Sequence, residues 1–400
     1  MGRKKGSSLL ETKRRNRVYI KDTIFKMEPI TRMDIAEELG LTLPTITTSV
    51  NEMMVEGIVE EIPLPAELLS NTAGRRPVGI GLVANAKQVI GVELGPYATR
   101  IVLMNLRGKI LESIEAEPGT GNYQEMTGKL ARYIEEIKKK ANEDKLLGIG
   151  IGLPGFIEGG RGVIRSHREK DWIGRYLAKD MEKLTKLPVL IDNNVRLRAI
   201  GYEMELRRKR PDSFAYFYIS KGIACPLMAK DSVLAGYTSG AGEVGHTIIC
   251  VSSSGRLEQK CVDELAGEAA IFEACREKME AGGASVLRKL VEEAGYMGMK
   301  QVIQAQEDGD EEVCKLVRER IEYLGIALAN VVNLVSPDFV VVDGYLLKNE
   351  ENRRCLMEAS RNRFFGINEE EVKIIFRPFE HYNGAKGAGY QVIRKMFLQK

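Results

Sequence analysis

The fold class of this chain is decided by one stretch, Leu187-Pro188-Val189-Leu190-Ile191-Asp192-Asn193-Asn194. Pro188 ends any helix before it, and the apolar, partly β-branched residues that follow predict a short buried strand. An acid and two amides then stand at the carboxyl end of that strand. Because ligands bind at the carboxyl ends of strands in open α/β sheets, the stretch predicts an α/β fold that holds a small polar ligand here.

Length and composition limit the classes of protein to consider. The 400 residues exceed one ordinary domain, and 44% hydrophobic with 29% charged residues are typical of a soluble globular protein. No apolar run reaches the about 18 residues of a membrane span, and no signal-peptide core follows the basic amino terminus. We therefore expect a cytoplasmic protein without a membrane partner. The six cysteines form no C-x-x-C pair and are expected to be reduced packing residues.

Charge is unevenly distributed over the first 86 residues. Up to Arg32 there are ten Lys or Arg and three Asp or Glu, and the next basic residues are Arg75 and Arg76. A short domain with its cations at two ends is expected to meet a polyanion there.

The same segment predicts a helix-turn-helix. The first twelve residues are polar and basic and are expected to form a mobile arm, and an apolar helical stripe then ends before Pro29. Thr31 and Asp34 form a capping-box start, with Asp in place of the usual Glu or Gln, and Gly40 is typical of a helix end. Thr42 then begins the second helix of the motif, with Pro44 tolerated in its first turn.

Two alternating strands around a long loop follow and predict a wing. The functional hypothesis is DNA binding, with Thr and Asn side chains reading bases in the major groove and arginines on phosphates and in the minor groove. The residues expected on the recognition helix are Thr42, Thr45, Thr47, Thr48 and Asn51, and the expected arginines are Arg14, Arg15, Arg17, Arg75 and Arg76. The alternative is a three-helix protein-interaction module whose charges are solvated faces. The recognition helix itself holds no Arg or Lys, so specificity would depend on base contacts from shorter side chains than usual.

The body after residue 86 alternates strands and helices. Strands are expected over 89–95, 99–105, 109–115, 147–153, 189–192, 214–219, 223–229 and 339–342, with a glycine-rich loop at 236–246 and a last helix over 383–397. The run Arg207-Arg208-Lys209-Arg210 stands at a helix end before Pro211 and is interpreted as a solvated face.

Four motifs of the body are specific: Gly148-Ile149-Gly150-Ile151-Gly152-Leu153-Pro154-Gly155, Pro188 to Asn194, Gly240-Ala241-Gly242-Glu243-Val244-Gly245-His246, and Leu324-Gly325-Ile326-Ala327-Leu328-Ala329-Asn330-Val331-Val332-Asn333. With them the body resembles the ROK family (repressors, open reading frames and sugar kinases). Asn16-Arg17, Thr45-Ile46-Thr47 and Gly74-Arg75-Arg76-Pro77 are similar to the winged helix of its repressor branch, which includes xylose and N-acetylglucosamine repressors.

The resemblance implies an α/β architecture of two parts. An arm and winged helix-turn-helix over residues 1–86 would precede a two-lobed actin/hexokinase-like (ASKHA) domain over 87–400. The expected lobes are 87–197 with the carboxyl-terminal helix 383–400, and 198–382.

The resemblance also implies that phosphoryl transfer is lost, so no catalytic residue and no cofactor is expected. Asn194 stands where family kinases carry the catalytic Asp, and an amide cannot accept the proton. Glu93-Leu94-Gly95-Pro96-Tyr97 replaces the Asp-x-Gly-x-Thr phosphate loop, and Ser220-Lys221-Gly222-Ile223-Ala224-Cys225-Pro226 replaces the second, Gly- and Thr-rich loop.

The sugar side of the family site is better kept. Glu243 and His246 match the family's hydroxyl-binding acid and its histidine, and Asn193 and Asn194 lie at the strand end. Asp263 replaces a Glu, and Glu169 replaces an Asn before Trp172. The family's zinc loop survives only as Cys261 with His246, which do not complete a tetrahedral set, so no metal is expected.

We therefore expect a sugar-responsive regulator, a repressor of carbohydrate-utilisation genes such as those of xylose metabolism. It would bind an A/T-rich inverted repeat of double-stranded DNA as a homodimer or homotetramer, and a small carbohydrate would be its effector. The alternatives are an ATP-dependent ROK sugar kinase with an appended DNA-binding domain, and a regulator that answers to a protein partner.

Overall fold

The computed structural model describes residues 9–65, 67, 78–253, 256–368 and 371–400. The chain divides into two units. Unit 1 comprises the described part of Met1–Arg210 with Tyr382–Lys400, and unit 2 comprises Pro211–His381.

The amino-terminal part of unit 1 is a winged helix-turn-helix. Three helices are followed by an antiparallel strand pair: α1 (Leu9–Met27), α2 (Arg32–Leu39), α3 (Leu43–Val55), β1 (Val59–Ile62) and β2 (Gly79–Leu82). Thr31 and Asp34 form the predicted capping box, with N–O distances of 3.1 and 3.2 Å, and Gly40 ends α2 at φ 59°. The predicted helix-turn-helix and wing strands are confirmed, although α1 already begins at Leu9 within the expected arm.

The rest of unit 1 is an α/β lobe. Its elements are β3 (Gln88–Leu94), β4 (Thr99–Asn105), β5 (Ile110–Ala116), α4 (Tyr123–Lys138), β6 (Leu146–Leu153), β7 (Phe156–Glu158), β8 (Val163–Ser166), α5 (Leu177–Thr185), β9 (Val189–Asn193) and α6 (Asn194–Leu206). In the part of the chain that is described, the sheet has the order β5-β4-β3-β6-β9, and β3, β6 and β9 run parallel. The expected buried strand is therefore β9, at the sheet edge, and α6 begins where it ends.

Unit 2 has its own mixed sheet and a set of helices. Its elements are β10 (Ser213–Ile219), β11 (Ile223–Ala224), β12 (Leu227–Ala229), β13 (Ser232–Val233), β14 (Ile248–Ser253), β15 (Arg256–Cys261), α7 (Val262–Ala266), α8 (Glu268–Glu280), α9 (Ser285–Ala294), α10 (Met299–Glu307), α11 (Glu311–Val335), β16 (Phe339–Gly344), α12 (Glu350–Arg361) and β17 (Lys373–Phe376). β10, β16 and β17 are parallel, and β12 and β13 extend the sheet on the other side of β10. The strand expected over 223–229 is interrupted at Cys225-Pro226 and forms β11 and β12.

The chain returns to unit 1 through α13 (Asn383–Val392), which continues as a π-helical turn over Ile393–Leu398. Glycines let this helix lie directly on the sheet and on α6. A Cβ atom on Gly150 would come within 2.0 Å of the Ala388 carbonyl oxygen, and one on Gly201 within 2.9 Å of the Gly387 Cα. Because α6 packs on α13 in this way, it belongs to unit 1, and the boundary expected after residue 197 is corrected to Arg210/Pro211.

The described ranges contain no helix of the length and apolarity that a bilayer crossing requires. All six cysteines lie within those ranges and are unpaired.

Candidate functional site

The exposed face of α3 presents short polar side chains, as the sequence predicts. Ile46, Val50 and Met53 are fully buried and fix the helix on the domain core. The opposite face is lined by the predicted base-reading residues, of which Thr42, Thr48 and Asn51 are exposed and Thr45 and Thr47 half-buried. The Thr42 and Thr45 hydroxyls lie 2.9 Å apart and share a hydrogen bond at the first turn.

A guanidinium from α2 lies beside this face. Arg32 donates to the Asn51 amide oxygen at 3.4 Å and is ion-paired with Glu61 of β1 at 3.1 Å. The sequence pattern gave no sign of this contact, because Arg32 and Asn51 lie on different helices. The contact orients the Asn51 amide so that its NH₂ group is the part left to donate.

The predicted phosphate-binding arginines differ in their surroundings. Arg14 and Arg15 are exposed on α1, whereas Arg17 donates to Glu56, the residue that ends α3, at 2.7 Å. Lys13 pairs with Glu52 of α3 at 2.6 Å in the same way. Hydrogen bonding to Glu56 raises the pKa of Arg17. These ion pairs join α1 to the recognition helix. Arg75 and Arg76 lie outside the described residues.

At the carboxyl end of β9 the three polar residues have separate roles. Asp192 accepts from the Arg196 Nε at 2.7 Å. The Asn193 amide oxygen caps α6 by accepting from Val195 and Arg196 at 2.9 and 3.2 Å, and its NH₂ donates to the Gly155 carbonyl at 3.0 Å. Asn194 opens α6 and is 7% exposed as a whole residue; its side chain makes no hydrogen bond with any other described residue, and its amide atoms are not fully buried. An accessible amide without a protein partner can donate to and accept from a bound molecule.

An aromatic cluster stands next to this strand end. Gly155 packs against the backbone of Ser166 and His167, and His167 stacks on Trp172 with ring centroids 4.7 Å apart. The Glu169 amide donates to His167 Nδ1 at 3.1 Å, so the neutral ring carries its proton on Nε2. Burial lowers the pKa of His167, so this ring is neutral near pH 7. Glu169 was expected at the site from the sequence, whereas His167 was not, because it matches no motif.

The loop that replaces the first phosphate loop is anchored by a buried ion pair. Glu93, the last residue but one of β3, accepts from Arg198 of α6 through both carboxylate oxygens, at distances of 2.8 to 3.0 Å. Both residues are 2% exposed. The carboxylate is thereby neutralised inside the fold.

Within unit 2, Asp263 lies against the loops that carry Gly222 and Gly245. Its Oδ1 accepts from the Ile223 amide at 2.7 Å, and a Cβ on Gly245 would come within 2.0 Å of the same oxygen. Burial raises the pKa of Asp263, and the Ile223 amide and the charge of His246 oppose that rise. His246 is exposed and Glu243 half-buried. The structure thus brings Asp263 close to the segment of Gly245 and His246.

A further acid, Glu268 at the start of α8, lies beside the segment 220–226. Ser220 Oγ donates to the Glu268 carboxylate at 3.3 Å, and Glu268 is 3% exposed. Within the described ranges, no group of three or more His, Cys, Asp or Glu side chains is placed to hold a metal ion.

Comparison with known proteins identifies the family. The sequence profile of the ROK family matches residues 89–395. The chain is 28% identical over 346 residues to a xylose repressor of Caldicellulosiruptor bescii, covering 82% of each chain. It is 25% identical over 268 residues to a glucokinase of Halalkalibacterium halodurans, covering 65% of this chain and 80% of the glucokinase.

Among solved structures, a ROK family transcriptional regulator described as a homologue of the Escherichia coli MLC protein superposes with a TM-score of 0.79 at 21% identity. That superposition covers 97% of this chain and 98% of the regulator, so the shared fold includes the winged helix. The resemblance stated from the motifs is confirmed: the chain belongs to the ROK family.

Proposed function

We propose that this chain is a DNA-binding transcriptional repressor that responds to a carbohydrate and does not phosphorylate it. The observation that carries the proposal is the exposed Thr/Asn face of α3. This helix belongs to the same folded unit as one lobe of the ROK domain. Side chains of this size fit the major groove, where Asn suits adenine and a Thr methyl suits thymine. The names of relatives that match over most of the chain, such as the xylose repressor over 82% of it, support the same conclusion.

The binding of a carbohydrate is supported by Asn194. Its amide makes no hydrogen bond with the other described residues, its polar atoms are not fully buried, and it can both donate to and accept from a hydroxyl group. Glu169 and the unit 2 residues Glu243, His246 and Asp263 remain predicted ligand contacts. Asn193 keeps one N–H for this role, because its other amide groups cap α6 and hold Gly155.

The absence of phosphoryl transfer is supported by charge. A nucleotide brings phosphates that need positive or neutral surroundings. Here the first loop begins with Glu93, whose carboxylate Arg198 already holds, and the second loop lies beside the buried Glu268, which accepts from Ser220. Asn194 offers no carboxylate to orient the attacking hydroxyl. We therefore propose that no catalytic residue is present.

The test begins with selection of bound sequences from a random DNA pool by the full chain. We expect an A/T-rich inverted repeat, bound by a symmetric oligomer. The dissociation constant for that sequence is then measured with and without D-xylose, other pentoses, hexoses and amino sugars. Equal affinity for selected and random DNA would overturn the proposal.

The rival function, a ROK sugar kinase with an added DNA-binding domain, is tested separately. ATP consumption is followed with the same sugars for the wild type and for Asn194→Asp. We expect none in either protein, because restoring the acid leaves both phosphate loops unchanged. Turnover by the wild type that Glu243→Gln abolishes would establish the kinase instead.

A further inference from the structure

The carboxyl end of α6 is bonded to the carboxyl end of α1. Arg207 follows α6, and its Nη1 donates to the Phe25 carbonyl at 2.5 Å while the guanidinium lies 4.0 Å from the Phe25 ring centroid. Arg208 donates to the carbonyls of Met27 and Pro29. The interpretation of residues 207–210 as a solvated face is therefore wrong for Arg207, which is half-buried, whereas Arg208 is exposed as expected.

Glu28, the residue after α1, also takes part in this contact. Its carboxylate is ion-paired with Arg107 at 3.3 Å and with Arg207 at 3.7 Å, and it accepts from the Leu82 amide of β2 at 2.7 Å. Arg107 also donates to the Leu82 carbonyl at 2.8 Å. Three cations of the ROK lobe, Arg107, Arg207 and Arg208, thus hold the α1 end and the wing strand together. We call this set the α1 junction.

The chemistry of the α1 junction is that of a helix cap. The last carbonyls of a helix have no partner within it and carry partial negative charge, which cations stabilise. Arg207 also has a left-handed backbone, with φ 50° and ψ −123°, a conformation that a residue with a side chain seldom keeps unless its surroundings enforce it. Its bonds to α1 supply that enforcement.

We propose that Arg207 and Arg208 are positioning residues: through them the ROK lobe fixes the orientation of the winged helix, and hence of α3. This inference rests on the proposed function for its DNA-binding part only. The helix involved begins at Asn194, so α6, which is about 20 Å long at 1.5 Å per residue, runs from the predicted ligand position to the DNA-binding domain.

A basic run could instead bind DNA phosphates directly. The geometry opposes this for Arg207, because its side chain is 25% exposed and is already bonded to Phe25 and Glu28. The two roles predict different salt dependence. A phosphate contact contributes about 0.9 to the slope of log affinity against log salt, whereas a positioning residue contributes nothing to that slope.

The first experiment is amide hydrogen exchange of the full chain, which needs neither DNA nor a sugar. In Arg207→Ala/Arg208→Ala we expect peptides over residues 20–30 and 78–83 to exchange about tenfold faster, because the α1 end loses its cap. Ile30 and Ile80 exchange backbone hydrogen bonds at 3.2 and 2.8 Å, so both segments should loosen together. Unchanged exchange would overturn the proposal.

The control is Arg161→Ala/Arg165→Ala, which removes the same charge from the β7–β8 hairpin, where both exposed arginines pair with Glu158. It should leave residues 20–30 unaffected. Arg207→Lys keeps the cation over the Phe25 ring and provides a milder variant if the double substitution unfolds. Its exchange should lie between those of the wild type and the double variant, and exchange equal to the wild type counts against the proposal.

The second experiment is binding to the selected DNA at several salt concentrations. We expect the double variant to bind about tenfold more weakly at every concentration with the slope of the wild type. A reduced slope would assign the arginines to DNA, and unchanged affinity with faster exchange would overturn the positioning role. If the wild type binds no DNA, the proposed function fails. The exchange experiment still decides whether Arg207 and Arg208 hold the end of α1 on the ROK lobe.

Discussion

Breaking the buried Glu93–Arg198 ion pair should destabilise unit 1 strongly. Glu93→Gln leaves the Arg198 cation without its carboxylate, and Arg198→Met leaves the Glu93 anion without its guanidinium. Both residues are 2% exposed, so water cannot take the place of the lost partner. Loss of one partner of a buried pair costs about 3–5 kcal/mol of the free energy of unfolding. Glu93→Gln should be the more severe, because Gly384 in the first turn of α13 lies against the Glu93 carboxylate, and a helix amino terminus stabilises an anion but not the abandoned arginine.

The double variant Glu93→Gln/Arg198→Met should recover most of the loss. It removes both charges together, and replacement of a buried pair by neutral groups of similar volume is often close to neutral. Urea unfolding followed by the emission of Trp172, the single tryptophan, reports on unit 1 directly. Arg165→Met is the matched control, since this arginine is exposed while its partner Glu158 is only half-buried, and we expect its midpoint to match the wild type.

Two results would refute this reasoning. Single variants within about 1 kcal/mol of the wild type would mean that the pair behaves like a surface ion pair. A double variant as unstable as the two single changes added together would mean that the charges do not interact.

Three further predictions follow from unit 1. Burial lowers the pKa of Lys21 to about 8, below its value in the unfolded chain. The unfolded chain therefore binds this proton more tightly, and the free energy of unfolding should rise between about pH 8 and pH 10.5. Urea midpoints measured against pH should show this rise for the wild type and not for Lys21→Met. Gly387→Ala would bring a Cβ within 2.1 Å of the Leu197 carbonyl oxygen. This overpacking should cost about 1–3 kcal/mol or more and lower the melting temperature. Gly128→Ala on α4, where the added Cβ meets open space, should raise the melting temperature slightly. In DNA binding, Arg15→Ala should reduce the slope of log affinity against log salt by about 0.9 and leave the base preference unchanged. Thr48→Ala should alter the preference at one base pair by about 1 kcal/mol and leave that slope unchanged. The reverse pattern would contradict a phosphate contact for Arg15 and a base contact for Thr48.

Local sequence signals predicted the winged helix and the strand end well. Thr31, Asp34, Gly40 and the alternation after Gly57 act through neighbours within a few residues, so their effect on the backbone can be inferred without the fold. The polar end of β9 belongs to the same class, because Pro188 and the apolar run determine where the strand begins and ends.

The contacts that depend on chain topology could not be predicted in this way. Glu93 and Arg198 are 105 positions apart, and Arg207 and Phe25 are separated by 182. Composition gave no reason to pair them, and a run of arginines before a proline normally stands in solvent. His167 escaped notice for a similar reason: its stacking on Trp172 and its bond from Glu169 arise from a turn that no motif marks.

The glycine contacts of α13 set the order in which this protein can be completed during synthesis. Unit 1 is built from both ends of the chain, and α13 fills the space against β3, β6 and α6 where Gly91, Gly150 and Gly387 permit no side chain. A growing chain exposes its amino-terminal part first. The faces of β3, β6 and α6 that α13 covers therefore stay uncovered until all of unit 2 has been translated. A chain that stops before Tyr382 carries α3 on a lobe that lacks α13, so the packing of unit 1 is complete only once the segment Tyr382–Lys400 has been made.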